Sequence, residues 1–337
     1  MAGKCDRIIV IGTSSGGLGA LKTLLPQLPA DLPAALFVVQ HMAADASGTI
    51  MLNALQTVCA LKCRFGEHDA AIENGHIYIA PPDHHLLVKK GRMLVTKGAR
   101  ENRSRPSIDT LFRSAAVAYG SSVIGVILTG LLDDGSIGMA AIKQCAGIAV
   151  VQEPADAEYA DMPQNAINKS AVDYRLALAL MGSLLLRLVH SPAPESVAVP
   201  KNLQMEALIA ERISSDLDAV NQLGSQVPYN CPDCGGVLWE VAHSKVKRYR
   251  CHVGHAFTSS VLLNAQTEKM EETLWMAMRM FEERRNLLLD LAKSGQPGNT
   301  GSYHQRSEET LVHIERIREV LLADKKAIEN QVKSNGT

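Results

Sequence analysis

The chain has 337 residues, 46% of them hydrophobic, enough for one large domain with a proper core and one or two small ones. A formal net charge of -1 gives no global attraction to nucleic acid or an anionic membrane, so any charged partner must meet a local patch. Seven cysteines, an odd number scattered through a long chain, argue against a disulfide scaffold and for a reducing compartment.

The start, Lys4 to Arg7, is charged and lacks the apolar stretch of a signal peptide. The longest apolar segment, Leu176 to Val189, is broken by Gly182, Ser183 and Arg187 and is too short to cross a bilayer. A cytoplasmic protein without membrane insertion is therefore expected. From Arg7 to about His190, short β-branched runs alternate with helical patterns: Ile8 to Ile11, Ala35 to Val39, Ile77 to Ala80, Val123 to Thr129 and Ile148 to Val151. That alternation predicts an α/β fold, a doubly wound and mostly parallel sheet with helices on both faces. Leu86 to Val88 and Met93 to Val95 flank Lys89-Lys90-Gly91-Arg92 and read as an antiparallel hairpin at one sheet edge. Cys5, Cys59, Cys63 and Cys145 lie singly among apolar residues, as buried free thiols do.

Prolines at 192, 194 and 200 end this first domain, 1–190. A linker with a helical pattern from Leu203 to Leu223 fills 191–227, and a compact Cys/His-rich module occupies 228–258. In 259–337, Leu274, Ala277, Phe281, Leu288 and Leu291 share one helical face, and Leu311, Ile314, Ile317 and Leu321 share a second. The polar segment Ser294 to Gly298 lets the two fold back as a helical hairpin.

Functional groups of a doubly wound sheet gather beyond the carboxyl ends of its strands. The first strand runs into Gly12-Thr13-Ser14-Ser15-Gly16-Gly17, the second into Gln40-His41-Met42, and a later one into Gly130-Leu131-Leu132-Asp133-Asp134-Gly135. A serine hydroxyl attacks an ester at neutral pH only if an imidazole takes its proton, and a carboxylate must hold that imidazole in the right tautomer. Ser14, His41 and Asp134 suit these roles, although spacing alone separates neither Ser14 from Ser15 nor Asp134 from Asp133. Backbone N–H groups near Ser15 and Gly16 and in the Gly130-Leu131 turn would meet the oxyanion, each worth ~3 kcal/mol. A glycine-rich turn after a first strand more often binds phosphate. Two absences weaken that reading: there is no Gly-x-x-x-x-Gly-Lys-Ser/Thr, and the second strand ends in Gln40-His41 where a dinucleotide site places an acid. Arg103 and Arg105, before a helix from Ser107 to Tyr119, suit an acidic partner segment, or a solvated turn.

Residues 7 to about 180 resemble the catalytic domain of the chemotaxis protein-glutamate methylesterases, the CheB-type family. The resemblance runs through Ile11 to Gly17, Gln40-His41-Met42, His76 to Pro81, Arg105-Pro106-Ser107-Ile108-Asp109, Gly125 to Gly130 and Met162-Pro163. It implies a Ser-His-Asp esterase that hydrolyses glutamyl methyl esters on chemoreceptor helices. It places nucleophile, base and orienting acid on Ser14, His41 and Asp134, and it puts Met162 in a loop over the site, where the residues alone read as a helix start with Pro163 in its first turn. Two features depart from the family pattern. No receiver domain fits ahead of Ile8, so regulation by a separate receiver or regulatory protein is an expectation, and Leu131-Leu132-Asp133 stands where the family often has Met-Gly-Asn.

Cys231-Pro232-Asp233-Cys234 and Cys251-His252-Val253-Gly254-His255 have the spacing of two zinc knuckles. Cys231, Cys234, Cys251 and His255, with His252 as the other choice, would hold a structural Zn²⁺, since four protein ligands leave no position for a reacting water. No thioredoxin-like βαβ pattern surrounds the Cys-x-x-Cys, which sets a redox role aside. Val237 to Glu240 and Lys247 to Arg250 suit the strands of a small ribbon with a solvated basic edge of Lys245, Lys247, Arg248 and Arg250. The function expected is methanol release from methylated chemoreceptors, with glutamine deamidation secondary. A non-enzymatic adaptor binding a partner through the ribbon is the alternative, and nucleic-acid binding a third.

Overall fold

The structure, a computed structural model, describes residues 7–212, 217–242, 246–294 and 300–334. They fall into two compact units that divide at Val261.

The first unit begins with β1 (Ile8–Thr13), α1 (Gly17–Leu24), β2 (Ala35–Gln40), α2 (Thr49–Gln56), β3 (Lys62–Phe65) and β4 (His76–Ile79). A hairpin of β5 (His85–Lys89) and β6 (Arg92–Thr96) leads to α3 (Ile108–Tyr119), β7 (Val123–Ile127), α4 (Ser136–Gln144), β8 (Ile148–Gln152), α5 (Asp161–Lys169), β9 (Tyr174–Leu176) and α6 (Leu178–His190). Seven strands form one sheet in the order β3-β4-β2-β1-β7-β8-β9, and every pairing in it is parallel. The order reverses at β1, which lies between β2 and β7. Alternate residues feed two cores. Ile8, Val10, Phe37 and Val39 pack with Leu111 and Phe112 of α3, while Ile9, Ile11, Leu36 and Val38 pack with Leu21 of α1 and Leu185 of α6. A sheet buried on both faces makes its strands continuous apolar runs, which is why β1, β2, β4, β7 and β8 were legible.

The hairpin forms, but as a separate two-stranded sheet rather than on an edge of the main one. Its Leu86, Val88 and Met93 pack into the α3-side core, so it caps a helix layer. The edge strands β3 and β9 were not anticipated.

The helical pattern from Leu203 to Leu223 resolves into α7 (Lys201–Arg212) and α8 (Leu217–Leu223). A four-stranded antiparallel sheet follows, β10 (Gly224–Asn230), β11 (Val237–Val241), β12 (Arg248–Cys251) and β13 (Ala256–Thr258). Two expectations are corrected here. Arg248 and Arg250 are no basic edge: both are buried, Arg248 on Glu206 at 2.7 and 2.9 Å and Arg250 on Glu101 at 2.6 Å. Lys247 is exposed as expected, and Lys245 lies outside the described residues. Cys59 and Cys63 do not lie singly, since their sulfurs stand 3.3 Å apart and Cys63 is half-buried. Cys145 is a buried free thiol, and Cys5 lies outside the described residues.

Helix α9 (Ser259–Lys293) leads into the second unit, which also contains α10 (Thr300–Ser334). Phe281 stacks on His313 with ring centroids 5.4 Å apart, and Leu288 and Ile314 are buried. Leu291 is 39% exposed, and Ala292 takes the inward place. The turn expected at Ser294 to Gly298 lies largely outside the described residues.

Candidate active site

The carboxyl ends of β2, β1 and β7 carry His41, Ser14 and the Thr129–Asp134 segment. Parallel pairing puts Thr13 beside Gln40, so the residues that follow leave the sheet side by side. Backbone bonds fix the turn: His41 N–H donates to Thr13 O at 3.1 Å, and Ser14 N–H to Thr129 O at 3.1 Å. The Gln40 side-chain amide donates to Ser14 O at 2.8 Å and to His41 O at 3.0 Å, tying the two turns together. Gly16 adopts φ 75°, the left-handed region that glycine enters without a Cβ penalty, and directs the chain into α1. Ser14 also lies against Gly130: a Cβ built there would stand 2.9 Å from the Ser14 Cβ and 2.2 Å from the sulfur of Met162. Met162 is thus buried beside the serine, in the first turn of α5.

His41 Nε2 and Asp134 Oδ2 are 2.9 Å apart. Asp134 is buried, and it also accepts from Ile108 N–H at 2.7 Å, Ser107 Oγ at 3.0 Å, Asn102 Nδ2 at 3.1 Å and Asp109 N–H at 3.3 Å. Burial works to raise the Asp134 carboxyl, but the bonds from His41, Ile108 and Asn102 outweigh it and hold the group below the usual carboxylate range. With Nε2 on the carboxylate, Nδ1 is the ring nitrogen left to face a hydroxyl. Among the described residues Ser14 Oγ makes no hydrogen bond, and catalytic contacts are often loose before substrate binds. Asp133 turns elsewhere: its Oδ2 accepts from Lys169, from Thr258 Oγ1 at 2.9 Å and from Ser260 Oγ at 3.2 Å.

Of the expected oxyanion donors, the Gly130 amide is already used, donating to Tyr159 O at 3.1 Å. The amides of Ser15, Gly16 and Leu131 have no partner among the described residues. Arg105 donates to Asp83 at 2.9 and 2.6 Å and to Gly98 O at 2.8 Å, so it is a braced side chain rather than a solvated one. It helps line a cleft of about 210 Å³ beside His41, together with Met42, Arg100, Arg103 and Ser104.

Sequence reasoning gave no role to Gln40, Asn102 or Asp109. Asn102 Nδ2 also donates to Asp109 Oδ2 at 2.8 Å, so its amide bridges two carboxyl groups. Burial, with the Asp134 charge beside it, pushes Asp109 up to about 8, which keeps it protonated at neutral pH. Gln40 and Asp109 lie within motifs that carry the family resemblance, but Asn102 has no signal beyond its nearness to Arg103 and Arg105.

The four expected metal ligands are brought together. Sγ of Cys231, Cys234 and Cys251 and a ring nitrogen of His255 lie within 4.8 Å of one another. Ligands about 2.3 Å from a tetrahedral zinc stand about 3.8 Å apart if both are sulfur and about 3.6 Å if one is nitrogen. Cys234 and Cys251 are separated by 3.7 Å, and Cys251 Sγ and His255 Nδ1 by 3.5 Å. His255 Nε2 faces Asp233 Oδ2 at 3.9 Å, the outer carboxylate partner that metal-bound histidines often have.

A hydroxyl, an imidazole and a buried carboxylate at the carboxyl edge of a doubly wound sheet are the parts of a serine hydrolase. The chain belongs to the CheB methylesterase family, whose description matches residues 9–185. A relative from Leptospira interrogans, named a putative protein-glutamate methylesterase/protein-glutamine glutaminase, is 44% identical over 181 residues, covering 53% of this chain and 93% of its own. A Geobacter metallireducens protein-glutamate methylesterase/protein-glutamine glutaminase is 38% identical, covering 50% of this chain and 47% of its own. The crystal structure of the Thermotoga maritima CheB methylesterase catalytic domain superposes with a TM-score of 0.52 at 32% identity, covering 54% of this chain and 98% of that domain.

Proposed function

We propose that this chain is a serine esterase that hydrolyses glutamyl methyl esters on chemoreceptor-like proteins and releases methanol. The observation that carries the reading is the His41–Asp134 pair, 2.9 Å across, on the strand end beside Ser14. Asp134 fixes Nε2, so Nδ1 takes the proton of the Ser14 hydroxyl as its oxygen attacks the ester carbon. The amides of Ser15, Gly16 and Leu131 then stabilise the oxyanion. His41 returns the proton to the departing methanol, and water clears the acyl-enzyme by the same relay. Arg105 and Arg100 give the cleft a positive wall suited to a glutamate-rich receptor helix, and Met162 packs behind the serine rather than in the cleft wall. Attack on a glutamine side chain would expel ammonia, an activity the relatives' names also carry.

The same reading includes a structural Zn²⁺ on Cys231, Cys234, Cys251 and His255, supported by ligand spacings that match a tetrahedron. The burial of Arg248 and Arg250 removes half of the patch that nucleic-acid binding would use. With membranes containing methylated chemoreceptors, the intact chain should release methanol and Ser14→Ala should release none while keeping the same circular dichroism. Undiminished release by Ser14→Ala would end the assignment.

A further inference from the structure

Besides Thr258 Oγ1, which donates to Asp133 at 2.9 Å, the ribbon reaches Asp134 itself through the Asn102 side chain. Asn102 N–H donates to Ala256 O at 2.8 Å, and Thr258 N–H donates to Asn102 Oδ1 at 3.2 Å. Because an N–H of β13 takes the carbonyl end of that amide, the NH2 end must face inward, where it donates to Asp134 and Asp109. The segment around it is tied to the same ribbon, since Glu101 is shared by Arg113 of α3 and Arg250 of β12. Asn102 and Arg103 adopt φ 50° and 63°, a left-handed pair that these contacts hold in place. Arg250 precedes Cys251, and Arg250 also donates to Gly254 O within the second knuckle at 3.0 Å. Two of the four expected metal ligands thus flank this path: Cys251 ends β12, whose Arg250 holds Glu101, and His255 directly precedes β13, which touches Asn102.

We propose that Asn102 is a positioning residue for the catalytic acid, oriented by the β12–β13 ribbon, so that filling the Cys231/Cys234/Cys251/His255 site with zinc sets the competence of the esterase. This rests on the Ser14–His41–Asp134 reading. The Leptospira relative has 93% of its length inside the matched region and leaves little room for such a ribbon. The ribbon lies outside residues 9–185, which the family description matches, and it couples a metal site to an acid that makes no contact with it. The ribbon supplies no reacting group; it selects one orientation of one amide.

The test uses the full chain, a chromogenic carboxylic ester and a serine-reactive fluorophosphonate. Asn102→Ala should lower kcat/KM about tenfold to a hundredfold, as loss of an orienting partner does elsewhere. It should also move the acidic limb of the pH–rate profile upward, because the carboxylate left with one fewer donor holds the imidazole proton more tightly. Stripping zinc with a chelator should lower kcat/KM in the same range and speed deuterium exchange at the amides of Asn102 and Thr258, and zinc should restore both. Unchanged exchange and activity after verified zinc loss, or an Asn102→Ala enzyme with an unmoved pH profile, overturns the proposal. Wild-type protein that neither reacts with the fluorophosphonate nor turns over the ester overturns the esterase reading beneath it.

Discussion

One methyl group at position 130 would collide with both Ser14 and Met162, so the glycine there is a steric requirement of the site. Gly130→Ala must push aside the Met162 sulfur and the Ser14 Cβ, and overpacking of this kind costs about 1–3 kcal/mol. The expected outcome is a lower melting temperature and a loss of ester hydrolysis. Trimming the flexible partner separates the two effects: Gly130→Ala with Met162→Ala should regain most of the melting temperature and little activity, since the strand-end serine cannot retreat. Equal recovery of both would show that Ser14 is not held where its reactivity depends on that contact. At this scale residue type and strand-end position narrow the choice to Ser14 or Ser15, His41, and Asp133 or Asp134, and the family resemblance, not spacing, chooses within each pair. The sequence is silent about Gln40 and Asn102, whose amides act through an orientation that only tertiary contacts define.

Among the elements, α7 and the ribbon strand β12 are joined to α3 by a buried ionic cluster, Glu101 and Glu206 with Arg113, Arg248 and Arg250. Burial acts to raise both glutamates, and the surrounding arginines overcome it, holding Glu206 down at about 2 and Glu101 well below the usual range. For a carboxyl depressed by folding, the unfolded chain binds protons first as pH falls. The cluster's stabilisation is therefore complete above the ordinary glutamate value of about 4.5 and lost as pH drops toward 2. Melting followed at pH 7, 4 and 3 should show a steep decline for the wild type. Glu206→Gln should start lower at pH 7, by about 3–5 kcal/mol for the unpaired arginines, and decline less steeply. Parallel slopes would mean that Glu206 titrates alike in both states. Composition could not reveal this cluster, because Arg250 and Arg248 find their acids 149 and 42 positions away. The missed strands have a local cause. In β3, Lys62-Cys63-Arg64-Phe65, and β9, Tyr174-Arg175-Leu176, the charges suit exposed sheet edges and erase the apolar run, and Pro228 does the same within β10. The buried central strands needed no such compromise and could be read directly.

Across the whole molecule, the sheet domain has two full cores, whereas the four-stranded ribbon has only a handful of buried apolar side chains, among them Leu238, Trp239, Val241 and Phe257. So small a sheet needs a further source of stability, and the proposed zinc would supply it, because a metal that binds only the folded form turns its binding free energy into folding free energy. The hairpin unit differs again, with a seam of its own built on Phe281, Leu288 and Ile314 and no candidate metal cluster among its described residues. Removing zinc should therefore act on the ribbon and spare the helices. Of the chain's two tryptophans, Trp239 is buried in the ribbon and Trp275 is exposed on α9, so a Trp275→Phe background isolates the ribbon signal. In that background, chelation should shift the Trp239 emission to the red in step with the loss of one zinc per chain. The helical circular dichroism should stay nearly constant, and zinc should reverse the shift. An emission maximum that stays put after complete zinc removal would show a ribbon that folds on its apolar contacts alone, with Cys231, Cys234, Cys251 and His255 dispensable to it.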